Sequence, residues 1–260
     1  IISVNLKKIE EIELYYLEKY AAILSGNKRE IIRGLDTKKD ILDDWIGRYG
    51  GKDQETSLFD KGAERVLYSY INSGTTDAKP NSSPVGSDMF YEYEDAYLHL
   101  DLKSISACEE KGKGNLPDFS DIFIGENQNS YKSKILFDKG GTPRDYIPNL
   151  PPIYNEGKVN QKICLSYLIT LAFDMDTFDT LIITLQSIPN GLLYEHYGDR
   201  VIKAGKNPGK ARFRLTDSRS GIKGVNEFEL LDGRPKRYKV IYLKDNLSEI
   251  YKKELAFFIK

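Results

Sequence analysis

The chain has little from which to build covalent or cofactor chemistry. Of its 260 residues only two are cysteine, Cys108 and Cys164, far apart and without a CxxC. That excludes a disulfide scaffold and a cysteine-based zinc site, and it suits a reducing cytoplasm. Histidine is equally scarce, with His99 and His196 alone, so a histidine metal centre or a Ser-His-Asp triad has little support. No apolar run approaches the roughly 18 residues of a membrane span. Residues 1–13 are charged and helical in pattern, without the apolar core of a signal peptide. The chain opens on Ile1, so an initiator Met or a longer leader is expected before it. There is no GxGxxG, no P-loop and no repeat at solenoid periods.

What is present is globular: 40% hydrophobic and 30% charged residues, enough for a sizeable core without metal or disulfide staples. At roughly 150 residues per domain the length allows one large domain or two small ones. Lys+Arg is 38 and Asp+Glu is 39, a net charge of −1, which at face value argues against a nucleic-acid partner. The sum hides an asymmetry. Residues 203–244 hold twelve Lys/Arg and four Asp/Glu, a net of +8, so the remainder carries −9. Much of that negative charge falls in residues 10–60, which reads as a solvated side.

Apolar periodicity predicts helices over residues 5–25, 38–49 and 58–72, the last capped by Ser57, with Phe59, Ala63, Val66, Leu67 and Tyr70 on its core face. Residues 73–84 are rich in breakers. Residues 88–94 and 96–105 alternate as a hairpin turning at Asp95, with Leu98, Leu100 and Leu102 on one face. Residues 109–160 read as surface-wandering chain with one short strand at 122–124. Residues 161–173 and 180–188 are apolar enough for buried strands. Strands separated by turns follow over 210–243, and a helix over 247–258 closes the chain. Helices first and strands later predict an α/β (α+β) fold with a central mixed sheet flanked by helices.

The strand 96–105 carries the chemistry. Opposite its leucines lie Tyr97, His99, Asp101, Lys103 and Ile105, so Asp101 and Lys103 share a face. Asp88, after Pro84, Val85, Gly86 and Ser87, opens the neighbouring strand, and a hairpin brings it close to Asp101. Two carboxylates suit a hard cation such as Mg²⁺, which takes oxygen ligands and keeps several waters. A lysine beside them can orient the attacking water of phosphodiester hydrolysis or stabilise developing charge. The plain alternative for Asp101 and Lys103 is an ion pair on the wet face of a strand. For His99 it is a packed or hydrogen-bonded strand histidine, and His196 reads as a surface residue.

Pro84-x-Gly86-Ser87-Asp88 followed by Asp101-Leu102-Lys103 resembles the signature of the PD-(D/E)xK nucleases, with Ser87 where proline is usual. The segments 148–154, 186–192 and 121–128 are similar to those of type II restriction endonucleases, over about residues 58–243. In the first fifty residues no likeness can be placed. The resemblance implies a homodimeric, Mg²⁺-dependent enzyme that cuts both strands of double-stranded DNA at a short palindromic or interrupted palindromic site. It makes Asp88, Asp101 and Lys103 the catalytic positions, with the backbone carbonyl of Leu102 facing the metal. Glu64, on the helix 58–72, is an accessory candidate whose plain alternative is an ordinary solvated glutamate. It also implies one restriction-endonuclease-like domain over 1–260. Within it lie a helical segment over 1–57, a catalytic core over 58–200 and a basic recognition segment over 201–246. The expected setting is the prokaryotic cytoplasm, with no membrane partner.

The basic segment interleaves Lys203, Lys206, Lys210, Arg212, Arg214, Arg219, Lys223, Arg234, Lys236, Arg237 and Lys239 with Phe213, Phe228 and Tyr238. Such density supplies phosphate contact through counterion release. Lys210, Arg212, Arg214, Arg219, Lys223 and Asn226 are DNA-binding candidates from this segment. The amide-rich stretch 125–131 adds Asn127 and Gln128, which could touch a groove edge. Two other readings fit the same residues: a structure-directed repair nuclease or resolvase, and a non-catalytic DNA-binding module.

Overall fold

The computed structural model describes residues 5–40, 44, 55–80, 86–110, 121–135, 144–205, 210–214 and 237–259. Three long helices come first: α1 (Leu6–Gly26), α2 (Lys28–Asp40) and α3 (Glu55–Gly74). The Asn5 side chain caps α1 by accepting from the Lys7 amide at 3.1 Å. Ile9, Tyr16, Leu17, Tyr20 and Leu24 form the buried stripe of α1 at helical spacing. In α3 the buried residues Phe59, Ala63, Leu67 and Ile71 recur every fourth position. Ser57 lies inside α3, which starts at Glu55, and so is not its cap. α2 (Lys28–Asp40) covers a stretch where no helix is expected before residue 38, and most of the helix expected over 38–49, with the turns expected at 217–221 and 232–235, lies outside the described residues.

The central sheet has the order β1 (Lys79–Pro80), β2 (Met89–Glu92), β3 (Ala96–Ala107), β8 (Lys162–Asp174), β9 (Thr180–Ile188), β12 (Tyr238–Leu243), with β7 (Ile153–Tyr154) also pairing β8. Strands β3 and β8 are parallel over their whole length and the other pairings are antiparallel, so the sheet is mixed. A second sheet runs β10 (Ile202–Ala204), β11 (Lys210–Arg214), β4 (Asp121–Gly125). Strands β5 (Ser133–Ile135) and β6 (Arg144–Tyr146) form a small pair. The stretch 109–160 therefore holds more regular structure than its composition suggests. The closing helix is shorter than expected: after α4 (Tyr194–Tyr197), α5 spans only Glu249–Glu254. Among the described residues no helix is long and apolar enough to cross a membrane.

Two cores sandwich the main sheet. Leu98, Leu100, Leu102, Leu165, Tyr167, Ile169 and Leu171 point into the layer of α1, α2 and α3. Leu168, Ala172, Ile182 and Ile188 point the other way, toward the second sheet and the C-terminal helix. Burial on both faces explains why β8 and β9 are near-continuous apolar runs.

The helical layer is locked by buried charge. Arg237 is fully buried and donates to Glu13 at 2.5 Å, Glu10 at 3.1 Å and the Tyr197 hydroxyl at 3.2 Å. Tyr197 donates to Glu10 at 2.5 Å, and the Asn190 amide donates to Glu13 at 2.6 Å. Burial pushes the Glu13 carboxyl up, and the Arg237 charge opposes it. This corrects two expectations. Glu10 and Glu13 are not on a solvated acidic side, and Arg237 is not available to DNA. Lys239 is also engaged, pairing with Glu18.

Losing one partner of a buried charge cluster leaves the others unpaired, which costs about 3–5 kcal/mol. Arg237→Met should therefore lower unfolding free energy in urea by about that much, whereas Lys239→Ala, at a half-exposed pair, should change it by under about 1 kcal/mol. Equal effects from the two substitutions would contradict a buried lock at Arg237.

Candidate active site

Strand register brings the expected acidic residues together. Hairpin pairing places Met89 opposite Leu100, so Asp88 stands at the strand mouth beside Asp101 and Leu102. The Leu102 amide donates to Asp88 Oδ2 at 2.9 Å. Asp101 is buried at 3% exposure, and Lys103 on the same face forms an ion pair with its Oδ2. Asp88 is exposed, and its Oδ2 also accepts from the Tyr68 hydroxyl of α3.

The electrostatics of the two carboxylates diverge. Burial, with Asp88 alongside, raises the Asp101 pKa to about 7, against the pull of Lys103. Burial also acts against ionisation of Asp88, but donors from Asp101, Tyr68 and the Leu102 amide outweigh it and hold that carboxyl below its ordinary range. The pair thus shares a proton near neutrality, as crowded carboxylates do. A donor set of two adjacent carboxylates, whose mutual repulsion a cation would relieve, fits a hard divalent cation. Among the described residues no cluster of three or more His, Cys, Asp or Glu side chains is placed to hold a metal. Any cation here would therefore complete its shell with main-chain oxygen, water or substrate.

Glu64 lies in α3 within the field of Asp88 and Lys103. Burial first, and then the charges of Asp88 and Asp60, raise its pKa. Its half-buried place beside the site departs from that of an ordinary solvated glutamate. His99 is buried: its Nδ1 meets Ser87 Oγ at 3.0 Å and its Nε2 meets the Tyr154 hydroxyl at 3.0 Å. Burial lowers its pKa to about 4, so it is a neutral strut behind the Ser87–Asp88 turn.

The 3₁₀ turn Glu126–Gln128 also reaches the site. Gln128 Nε2 donates to Asp101 Oδ2 at 2.6 Å, so its amide is spent inside the carboxylate cluster rather than presented to a groove. Asn127 is exposed and accepts from Asn149 at 2.6 Å. Gly86 packs on this turn, where a Cβ would come 3.3 Å from Asn127 Cβ. In β11, Ala211 and Phe213 face the core, which leaves Lys210 and Arg212 on the opposite side. Arg212 stacks 4.9 Å from the Phe123 ring centre, and its Nε has no hydrogen-bond partner among the described residues. Lys203 is buried. The Arg214 side chain and Arg219, Lys223 and Asn226 lie outside the described residues. Sequence reasoning missed Tyr68, although its place four residues after Glu64 puts both on one helix face.

Residues 5–177 match the family described as type II restriction enzyme MwoI, N-terminal domain, and residues 180–243 match its central domain. The chain belongs to the MwoI family of type II restriction enzymes. It is a type II restriction endonuclease. The match begins at residue 5, so the helical N-terminal segment is family sequence too, contrary to the expectation that likeness starts near residue 58. The boundary between the two named domains falls in the short turn joining the paired strands β8 and β9. The fold is similar to that of the restriction endonuclease BglI bound to its DNA recognition sequence: TM-score 0.64, 17% identity, covering 89% of this chain and 90% of that one. It is also similar to tetrameric SfiI bound to cognate DNA: TM-score 0.62, 12% identity, covering 92% and 86%. No curated protein matches by sequence.

The raised Asp101 pKa predicts a pH-dependent stability. Its folded value of about 7 exceeds the ordinary 3.8. An unfolded chain releases this proton at lower pH than the folded one, so stability falls as pH rises between those values and is flat above. In chelator, Asp101→Asn should therefore raise the melting temperature at pH 8 and leave it nearly unchanged at pH 4. An equal shift at both pH values would contradict the assignment.

Proposed function

We propose that this enzyme cleaves both strands of double-stranded DNA at a short palindromic or interrupted palindromic site, as a homodimer with one site per protomer. The cation is Mg²⁺, held by Asp88, Asp101 and the main-chain carbonyl of Leu102. The juxtaposition of Asp88, Asp101 and Lys103 on paired strands, in a chain of this family, carries the reading.

When bound, a divalent cation supplies positive charge for the scissile phosphate and acidity for water. The chain's own groups do the rest. Lys103, paired with Asp101, is placed to orient the attacking water and to offset charge developing on the phosphoryl oxygens. Glu64, whose pKa is raised by burial and its acidic neighbours, is an accessory group for exchanging a proton with that water. The water oxygen bonds to phosphorus as the bond to the 3′ oxygen breaks, leaving 5′-phosphate and 3′-hydroxyl ends. Lys210, Arg212, Arg214, Arg219, Lys223, Asn226 and Asn127 contact DNA. The guanidinium of Arg212, held over the Phe123 ring, supports that role. A symmetric target favours two copies of this site per cut, one from each protomer. The two free cysteines, Cys108 and Cys164, are consistent with a reducing prokaryotic cytoplasm.

Plasmid incubated with protein and Mg²⁺ should give discrete fragments, and sequencing their ends should yield one recurring sequence. Asp88→Ala, Asp101→Ala and Lys103→Ala should each lower the rate by at least about 10²–10³-fold while retaining DNA binding. Cutting that survives Asp101→Ala or Lys103→Ala would show the site assignment to be wrong. Lys210→Ala and Arg212→Ala should weaken binding and each reduce the dependence of log affinity on log salt by about 1.

A further inference from the structure

The four donors at the carboxylate pair are distributed unevenly. Asp88 Oδ2 accepts from the Leu102 amide and the Tyr68 hydroxyl. Asp101 Oδ2 accepts from Gln128 and pairs with Lys103. No described side chain or amide donates to Oδ1 of either residue apart from the contact between the two carboxyls themselves. Each carboxylate therefore has one oxygen, Oδ2, that takes two donors, and an Oδ1 that takes none from the described residues other than the facing carboxyl.

We infer that Tyr68 and Gln128 are positioning residues that hold Asp88 and Asp101 by their Oδ2 oxygens and leave the two Oδ1 oxygens to a divalent cation. This rests on the proposed metal site and names the residues that orient it.

The orientation of Gln128 is fixed by chemistry. The Gly125 amide can only donate, and it meets Gln128 Oε1 at 2.7 Å, which turns the NH₂ group toward Asp101 Oδ2 and, at 3.4 Å, the Gly86 carbonyl. Both Nε2 hydrogens are thereby committed, which leaves Gln128 no spare donor for base reading. Tyr68 has one donor hydrogen and uses it on an ionised acceptor. Burial, and then Asp88, push its pKa up, so the hydroxyl keeps its proton and stays a donor. The two residues come from different elements, α3 and the turn after β4, so the open edge of the pair is set by tertiary packing from two sides. Outer-shell groups of this kind typically control metal affinity or activity by about 10–100-fold.

The experiment measures Mn²⁺ binding calorimetrically to the complex of full-length protein and plasmid-derived cognate DNA, alongside cleavage against Mg²⁺ concentration and DNA affinity in chelator. Tyr68→Phe removes one oxygen, and Gln128→Met removes the donor without adding charge beside Asp101. Each should weaken Mn²⁺ binding and raise the half-saturating Mg²⁺ concentration by about 10–100-fold, with DNA affinity in chelator and melting temperature close to wild type. Unchanged Mn²⁺ binding in both variants overturns the inference. Reduced DNA affinity in chelator with unchanged Mn²⁺ binding for Gln128→Met assigns that residue to DNA contact and also overturns it. Asp101→Asn separates the two levels of argument. If that variant still binds Mn²⁺ and cleaves, the metal-site reading itself fails. If it does neither while Tyr68→Phe and Gln128→Met behave as wild type, only the positioning role fails.

Discussion

The buried pairing of Arg237 with Glu10 and Glu13 is the constraint on which the arrangement of layers depends. Three charges removed from water are tolerable only when their hydrogen-bonding capacity is used. Here Tyr197, Ser187 and the Asn190 amide help to use it. The cluster therefore fixes α1 simultaneously against the end of β9, the start of β12 and α4. A slide of α1 by one turn would strand both glutamates. Because α1 shares its core with α2 and α3, the same lock fixes the helix that carries Glu64 and Tyr68 to the active site.

Strand β3 turns that fixed layering into chemistry. Its leucines anchor it to the helical layer, and its parallel pairing with β8 leaves no freedom of register. The opposite face must then present Asp101 and Lys103 at one place. Asp88 arrives on the antiparallel neighbour, and His99 braces the turn that delivers it. The crowded carboxylates are a local cost to the fold, visible in the raised Asp101 pKa. Sites that bind a cation are where such a cost is expected, since the cation offsets it.

Much of this is legible in the sequence. Alternation along residues 96–105 places leucines and the Asp–Lys pair on opposite faces, and the hairpin follows from Asp88 and Asp95. The apolar runs at 161–173 and 180–188 are the buried strands they resemble. Where the structure reassigns a charged or polar side chain, the cause is the same each time. Charge density reads as exposure, which assigns Arg237 to DNA and Glu10 and Glu13 to solvent. A buried ion pair separated by more than 220 positions leaves no local pattern. Gln128 reads as a groove contact for the same reason: its partner, Asp101, lies 27 residues away.

The sequence by itself determined the alternation, the residue types of the carboxylate–lysine cluster and the family, because these are local or collinear properties. It also placed an excess of positive charge late in a chain whose total is nearly neutral. Only the tertiary structure decided which charges are structural and which remain open to a ligand. It alone brought Tyr68 from a helix and Gln128 from a distant turn onto the two aspartates. The reason is physical: a hydrogen bond depends on where two groups meet in space, and the scarcity of cysteine and histidine left oxygen and amide donors, abundant everywhere in the chain, as the only ones that could meet there.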